Sequence, residues 1–199
     1  MNARSPSTTL PIQFNGKAGE YFDIWIVNVC LTLITLGLYS PWAKIRKKRY
    51  FYGSTTLAGA SFDYVANPIA ILKGRLIAVV AIVGLSIITQ FAPWVNALWS
   101  IIFLGLMPWL IVRTLRFNAI NTVYRNLHFG FKPAYRSCYK SYVYWPMLIP
   151  LTLGLILPWV KFKQKKFIVE NFTYGNSAFH FGAQVGDFLT IYRFAPHSG

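Results

Sequence analysis

From Leu76 to Val112 the chain runs 37 residues without one charged side chain. Nothing else in the sequence limits the fold so strongly. A membrane crossing takes roughly 20 apolar residues at about 1.5 Å rise each. This run therefore predicts two crossings, 76–92 and 94–112, joined by a turn at "APWVN" (92–96). There Pro93 and Asn96 break the helix, and Trp94 suits a membrane–water boundary. A soluble core is a poor home for such a run, because the 199-residue chain has only 13% charged residues against the usual quarter or so. Two more charge-free runs, Ile24–Ala43 and Ser141–Val160, are 20 residues each. The first predicts a span over 24–43, the second an apolar segment over 141–160.

The ends of these runs are basic. "KIRKKR" (44–49), "RTLRF" (113–117) and "KFKQKK" (161–166) follow the three runs, and the net charge is +15. Basic clusters at span ends orient a protein with those loops cytoplasmic, and they attract anionic lipid head groups. Nucleic acid ranks below both, since no nucleic-acid module is recognisable. "MNARSPSTTLPIQFNG" lacks the apolar stretch of a cleavable signal, so the first apolar segment is expected to stay in the mature protein. Cys30 and Cys138 show neither disulfide-framework nor zinc spacing.

The chain also repeats itself. "TLGLYSPW" (35–42) and "TLGLILPW" (152–159) share six of eight letters. Without gaps, Lys44 then falls on Lys161, Arg46 on Lys163, Arg49 on Lys166 and Tyr50 on Phe167. "FLGLMPW" ends a worn third copy at Trp109, and Arg113 and Arg116 occupy the same basic columns. In each copy the first Phe of a closing aromatic pair, Phe62, Phe129 or Phe179, lies 20 residues after the Trp. A period of this kind signals an array of one supersecondary unit. "GEYFDIW" (19–25) and "GDFLTIY" (186–192) match as unit beginnings. The expected units are a polar tail 1–11, unit 1 at 12–68, unit 2 at 69–131, unit 3 at 132–183 and the truncated start of a fourth at 184–199.

Within a unit, Gly37 is expected to end one helix in the left-handed conformation. Ser40 and Pro41 are expected to cap and open a short second helix, about 41–50. Aromatic hairpins follow, turning at Ala58-Gly59, Arg125-Asn126 and Gly175-Asn176. With the opening strand "IQF" they predict a small antiparallel sheet outside the bilayer. One conflict stands. If units 1 and 3 each cross once, their hairpins end on opposite sides. Pro146, Pro150 and Gly154 interrupt the third run, so at least one helix pair is expected to re-enter or lie at the interface. The expected class is an α-helical multi-pass membrane protein with internal repeats of helix, Pro-Trp break, basic helix and aromatic hairpin.

The stretch "TLGLYSPWAKIRKKRYFYGSTTLAGASFDYVANPIAILKGRLIA" (35–78) resembles the bacterial YjgN-like inner-membrane proteins, the family of domain of unknown function 898. "RTLRFNAINTVY" and "LGLILPWVKFKQKKFIVENFTYGNSAFHF" fit the same family. The resemblance implies a multi-pass protein of the bacterial inner membrane and brings no catalytic residues with it. Members are generally longer, so a partial chain is expected.

No catalytic constellation, metal site or cofactor site stands out, and an enzyme is the least expected class. The three histidines are scattered, and the five acids include Glu20 and Asp187 at expected helix starts, where the dipole favours a carboxylate. The first functional expectation is a lipid-contacting or membrane-organising module. In it Arg46, Arg49, Arg113, Arg116, Lys163 and Lys166 hold anionic head groups, and Trp42, Trp109 and Trp159 anchor the interface. The alternative is a small-solute transporter or channel built from repeats. The expected partners are the bilayer, anionic phospholipids and further copies of the chain.

Overall fold

In the computed structural model, residues 11–92, 94–186 and 188 are described. The chain divides into two compact units. One runs to Gly84 and takes in Asn121–Leu127; the other comprises Leu85–Ile120 and the residues from His128 onward.

The first unit opens with β1 (Ile12–Phe14), α1 (Ala18–Ile34) and α2 (Ser40–Gly53). Strands β2 (Thr55–Leu57) and β3 (Ala60–Tyr64) follow, and β4 (Thr122–Tyr124) completes its sheet. The strands pair antiparallel in chain order, β1–β2–β3–β4. The β2–β3 turn falls at Ala58-Gly59, both at positive φ (48° and 77°), as a tight hairpin requires. Phe62 stands opposite Tyr124, and their rings stack at 4.7 Å.

Helices α1 and α2 fold back on each other. Tyr21, near the start of α1, packs on Tyr50 and Phe51, near the end of α2, at 5.9 and 5.0 Å. The reversal is made by Leu36 and Gly37, at φ 49° and 89°. The Gly37 N–H bonds back to the Thr32 carbonyl at 2.7 Å, closing the end of α1. Thr35 ties the turn twice: its hydroxyl donates to Leu31 O and accepts from the Tyr39 N–H. Ser40 does not act as the expected cap. Tyr39 is already helical, and the Ser40 hydroxyl donates to Gly37 O instead.

The run 24–43 is therefore not one span. α1 stops at Ile34, and the last four residues of the run belong to α2. Absence of charge does not make the run one helix, because the left-handed pair Leu36-Gly37 breaks the chain inside it.

The second unit holds α4 (Val95–Ile120), which follows α3 (Pro68–Phe91). Among the described residues, α3 and α4 are the helices long and apolar enough to cross a membrane, with mean hydropathy 2.2 and 2.0. In their most apolar stretches none of α3 and only 11% of α4 is buried within the protein. They contain nearly all of the expected spans and extend them, α3 from Pro68 and α4 to Ile120.

Beyond α4 come β5 (Leu127–Phe131), α5 (Tyr135–Tyr139), a π-helical turn at Lys140–Tyr144 and α6 (Trp145–Met147). Irregular turns then lead to α7 (Leu157–Asn171), β6 (Phe172–Tyr174) and β7 (Ser177–Ala178). Strand β5 pairs with β6, and β6 with β7. The core of this unit gathers Val112 and Ala119 of α4, Phe131 of β5, Cys138 of α5 and Phe167 of α7.

The segment 141–160 is no span either. It is a π turn, one turn of helix, a chain reversal and the start of α7. The reversal repeats the backbone hand and the helix-closing bonds of the one after α1. Leu153 and Gly154 sit at φ 49° and 85°; Gly154 N–H reaches Ile149 O; the Thr152 hydroxyl donates to Leu148 O. The middle phrase behaves differently, since α4 continues unbroken through Leu104, Gly105 and Pro108. Most of the expected fourth unit lies outside the described residues.

Candidate lipid head-group site

Helix α2 carries Lys44, Arg46, Lys47, Lys48 and Arg49 within six positions and no acid. Its first turn presents Trp42, and Arg46 lies four residues on, one helical turn above it. Arg49 follows three further on, on the same face. These three side chains, with Tyr39, Ile45 and Pro68, line a cleft of about 360 Å³. Tyr39 and Trp42 stack at 6.1 Å and form its aromatic wall. Arg49 is held in place by its Nε–H, which donates to the Tyr64 carbonyl at 3.1 Å. One guanidinium donor of five is used there.

The charge of α2 is not neutralised from within. Burial, and after it the neighbouring Lys44 ammonium, holds the Lys48 pKa below its ordinary 10.5. Lys48 also stands 4.4 Å over the Tyr64 ring. Lys17 pairs with Glu20 at 3.5 Å and Lys166 with Glu170 at 3.6 Å, both outside α2. Such a surface suits a multivalent anion oxygen.

The other basic columns have the same local form with different partners. Arg113 packs over the Trp109 ring at 5.0 Å, and Lys163 over Trp159 at 4.6 Å. In both, cation and ring are four residues apart on one helix. Arg116 is exposed on the last turns of α4. Lys166 is engaged by Glu170 at 3.6 Å, so a head group there would have to compete with a carboxylate. The structure thus brings Arg46 and Arg49 together in one cleft with Trp42, places Arg113 and Lys163 each on a tryptophan, and ties up Lys166. Among the described residues no three His, Cys, Asp or Glu side chains gather as a metal site would need.

Sequence reading missed Asn28. It is 8% exposed in α1, and its side-chain oxygen has no partner. The signal was present: it is the one amide in a charge-free run.

Residues 9–196 match the family described as bacterial protein of unknown function (DUF898). The chain belongs to that family. It is 34% identical over 145 residues to the inner membrane protein YjgN of Salmonella typhimurium, an alignment covering 72% of this chain and 37% of that protein. It is 28% identical over 144 residues to inner membrane protein YjgN of Escherichia coli K12, covering 72% and 36%. The chain thus spans little more than a third of the curated relatives it matches. No solved structure matches it.

Proposed function

We propose that this DUF898 chain is an integral module of the bacterial inner membrane that binds anionic phospholipid head groups with its basic helices. The observation that carries the reading is the cleft where Arg46 and Arg49 meet Trp42. Two guanidinium groups offer paired donors to phosphate, and a tryptophan at their foot fixes the depth of the site at the boundary. The inner-membrane names of the relatives support the location.

The module is multi-pass by way of α3 and α4, and it is built of repeats. In this reading the reversals at Leu36-Gly37 and Leu153-Gly154 are the tips of re-entrant helix pairs. Their apolar side chains support this, since Leu36 and Leu153 are 94% and 93% exposed. Re-entry removes the conflict in the sequence: every hairpin stays on one side, with the basic helices cytoplasmic. Non-helical backbone at such tips needs protein cover or internal bonds, and the Thr35 and Thr152 hydroxyls supply some of those bonds.

Replacing Arg46, Arg49, Arg113 and Arg116 by Gln should lower co-purified phosphatidylglycerol and cardiolipin by about tenfold, the loss of one or two charge-assisted bonds per lipid. Unchanged lipid content by mass spectrometry would end the head-group reading. The broken helices also favour a second reading, a small-solute transporter. Solute flux in proteoliposomes of a longer relative would turn the argument that way.

A further inference from the structure

A second cleft, of about 440 Å³, lies between α1 and α2 and is separate from the one holding Arg46 and Arg49. Tyr21, Trp25 and Asn28 line it from α1, spaced four and three residues apart on one helix face. Leu33 closes its apolar end near the Leu36-Gly37 reversal, and Lys44 and Lys47 line it from α2.

The aliphatic hydroxyl groups of the segment around the reversal are self-satisfied. The hydroxyls of Thr32, Thr35 and Ser40 donate to carbonyls of their own segment. The Asn28 side chain differs from these hydroxyls, more than nine-tenths buried with Oδ1 lacking a donor. Native structures rarely leave such an atom alone. Lys44 and Lys47 are exposed, and among the described residues neither has a carboxylate within ion-pair reach. Lys47 stands over the Tyr21 ring at 5.8 Å and the Phe51 ring at 5.9 Å, which places its ammonium at the polar end of the cleft.

We infer that this cleft binds one anionic phospholipid whose head group carries a hydroxyl. The two lysines take the phosphate. The head-group hydroxyl supplies the donor that Asn28 lacks once that side chain turns outward, because Oδ1 is closed to solvent as it stands, and Trp25 and Leu33 line the path of an acyl chain. The inference rests on the head-group reading above and adds a site and a chemical preference to it. A choline head group offers no donor, and an ethanolamine head group brings a cation towards two lysines.

Phosphatidylglycerol and phosphatidylethanol of equal acyl chains make the test, because both carry one negative charge and only the first has head-group hydroxyls. The full chain is purified in neutral detergent and titrated with each lipid by native mass spectrometry. The wild type should bind phosphatidylglycerol about three- to tenfold more tightly, the range of one neutral hydrogen bond. Asn28→Leu should erase that preference while leaving phosphatidylethanol binding as it was. Lys44→Gln with Lys47→Gln should weaken both lipids alike. Equal binding of the two lipids by the wild type overturns the inference, and that comparison needs no variant to fold. If the wild type favours neither anionic lipid over phosphatidylcholine, the broader head-group reading has failed instead. Glycerol 3-phosphate should not displace the lipid, and displacement would make the ligand a soluble phosphate.

Discussion

The phrase "TLGLYSPW" and the worn phrase "FLGLMPW" look like variants of one sentence, yet the first reverses the chain and the second lets a helix run through. The difference is one residue of spacing. In the reversing phrases the glycine stands four places before the proline, as Gly37 before Pro41 and Gly154 before Pro158. In the middle phrase Gly105 is three places before Pro108. Aligned on the tryptophan, the column of Gly37 and Gly154 is occupied by Leu104. The column before it, Leu36 and Leu153, is occupied by Phe103. A left-handed pair at Phe-Leu would be costly, so α4 stays helical and reaches a length sufficient for a crossing. Where glycine can accept positive φ, its leucine neighbour is carried into the same region.

The largest effect should come from exchanging the two behaviours. Leu36→Ala with Gly37→Ala removes the left-handed glycine and favours a continuous helix from α1 into α2. A reporter after Gly53 is expected to change sides of the membrane, and a reporter that stays put would contradict the role of the reversal. The reciprocal change inserts one alanine between Leu106 and Met107, restoring the four-residue spacing. It should divert the chain within α4 and lower insertion of the segment after it.

Single glycine changes sharpen the same contrast with opposite signs. Gly37→Ala forces a Cβ into φ 89° and should destabilise by about 1–2 kcal/mol. Gly105→Ala meets nothing within 4 Å in an unbroken helix and should stabilise by roughly 0.5–1 kcal/mol. Thermal midpoints in detergent check both, and equal signs would remove the conformational distinction.

Smaller again is the threonine brace. Thr35→Ala loses the bonds to Leu31 O and from Tyr39 N–H, and should cost about 1 kcal/mol. Thr152→Ala loses the equivalent bond to Leu148 O and should cost about the same. A Thr35→Ala effect with no Thr152→Ala effect would show that the two reversals are not held alike.

Depth is the last of these checks. A spin label at Leu36→Cys or Leu153→Cys, in a Cys30→Ser, Cys138→Ala background, should be more accessible to oxygen than to a polar nickel reagent. The reverse order would place the tips in water.

Much of this architecture could be read from the sequence because its signals are local. Pro41 and Pro158 do open helices, Ala58-Gly59 and Arg125-Asn126 do make turns, and Phe62 and Phe129 do sit in paired strands. Continuity was harder to read. Hydropathy measures a run's composition and is blind to a two-residue change of backbone hand, so 24–43 looked like a span. The register of Gly105 was available in the letters, but similarity of wording hid the shift. For the candidate site, the column of Arg46 and Arg49 was legible, because helical spacing alone puts them on one face. Asn28 stands out in the letters as the one amide of its run, but that its oxygen lacks a donor was not legible there, because it depends on what α2 fails to offer across the cleft. Nor was the engagement of Lys166 by Glu170, whose competition with a head group emerges only from the side-chain geometry.

Sidedness tests the central claim most directly. Reporters placed after Gly53, Gly130 and Asn176 should all report the cytoplasmic face, because in the proposed topology the helix pairs before Gly53 and Asn176 re-enter while α3 and α4 together return the chain. A reporter after Gly53 or Asn176 on the opposite face from Gly130 would contradict the account.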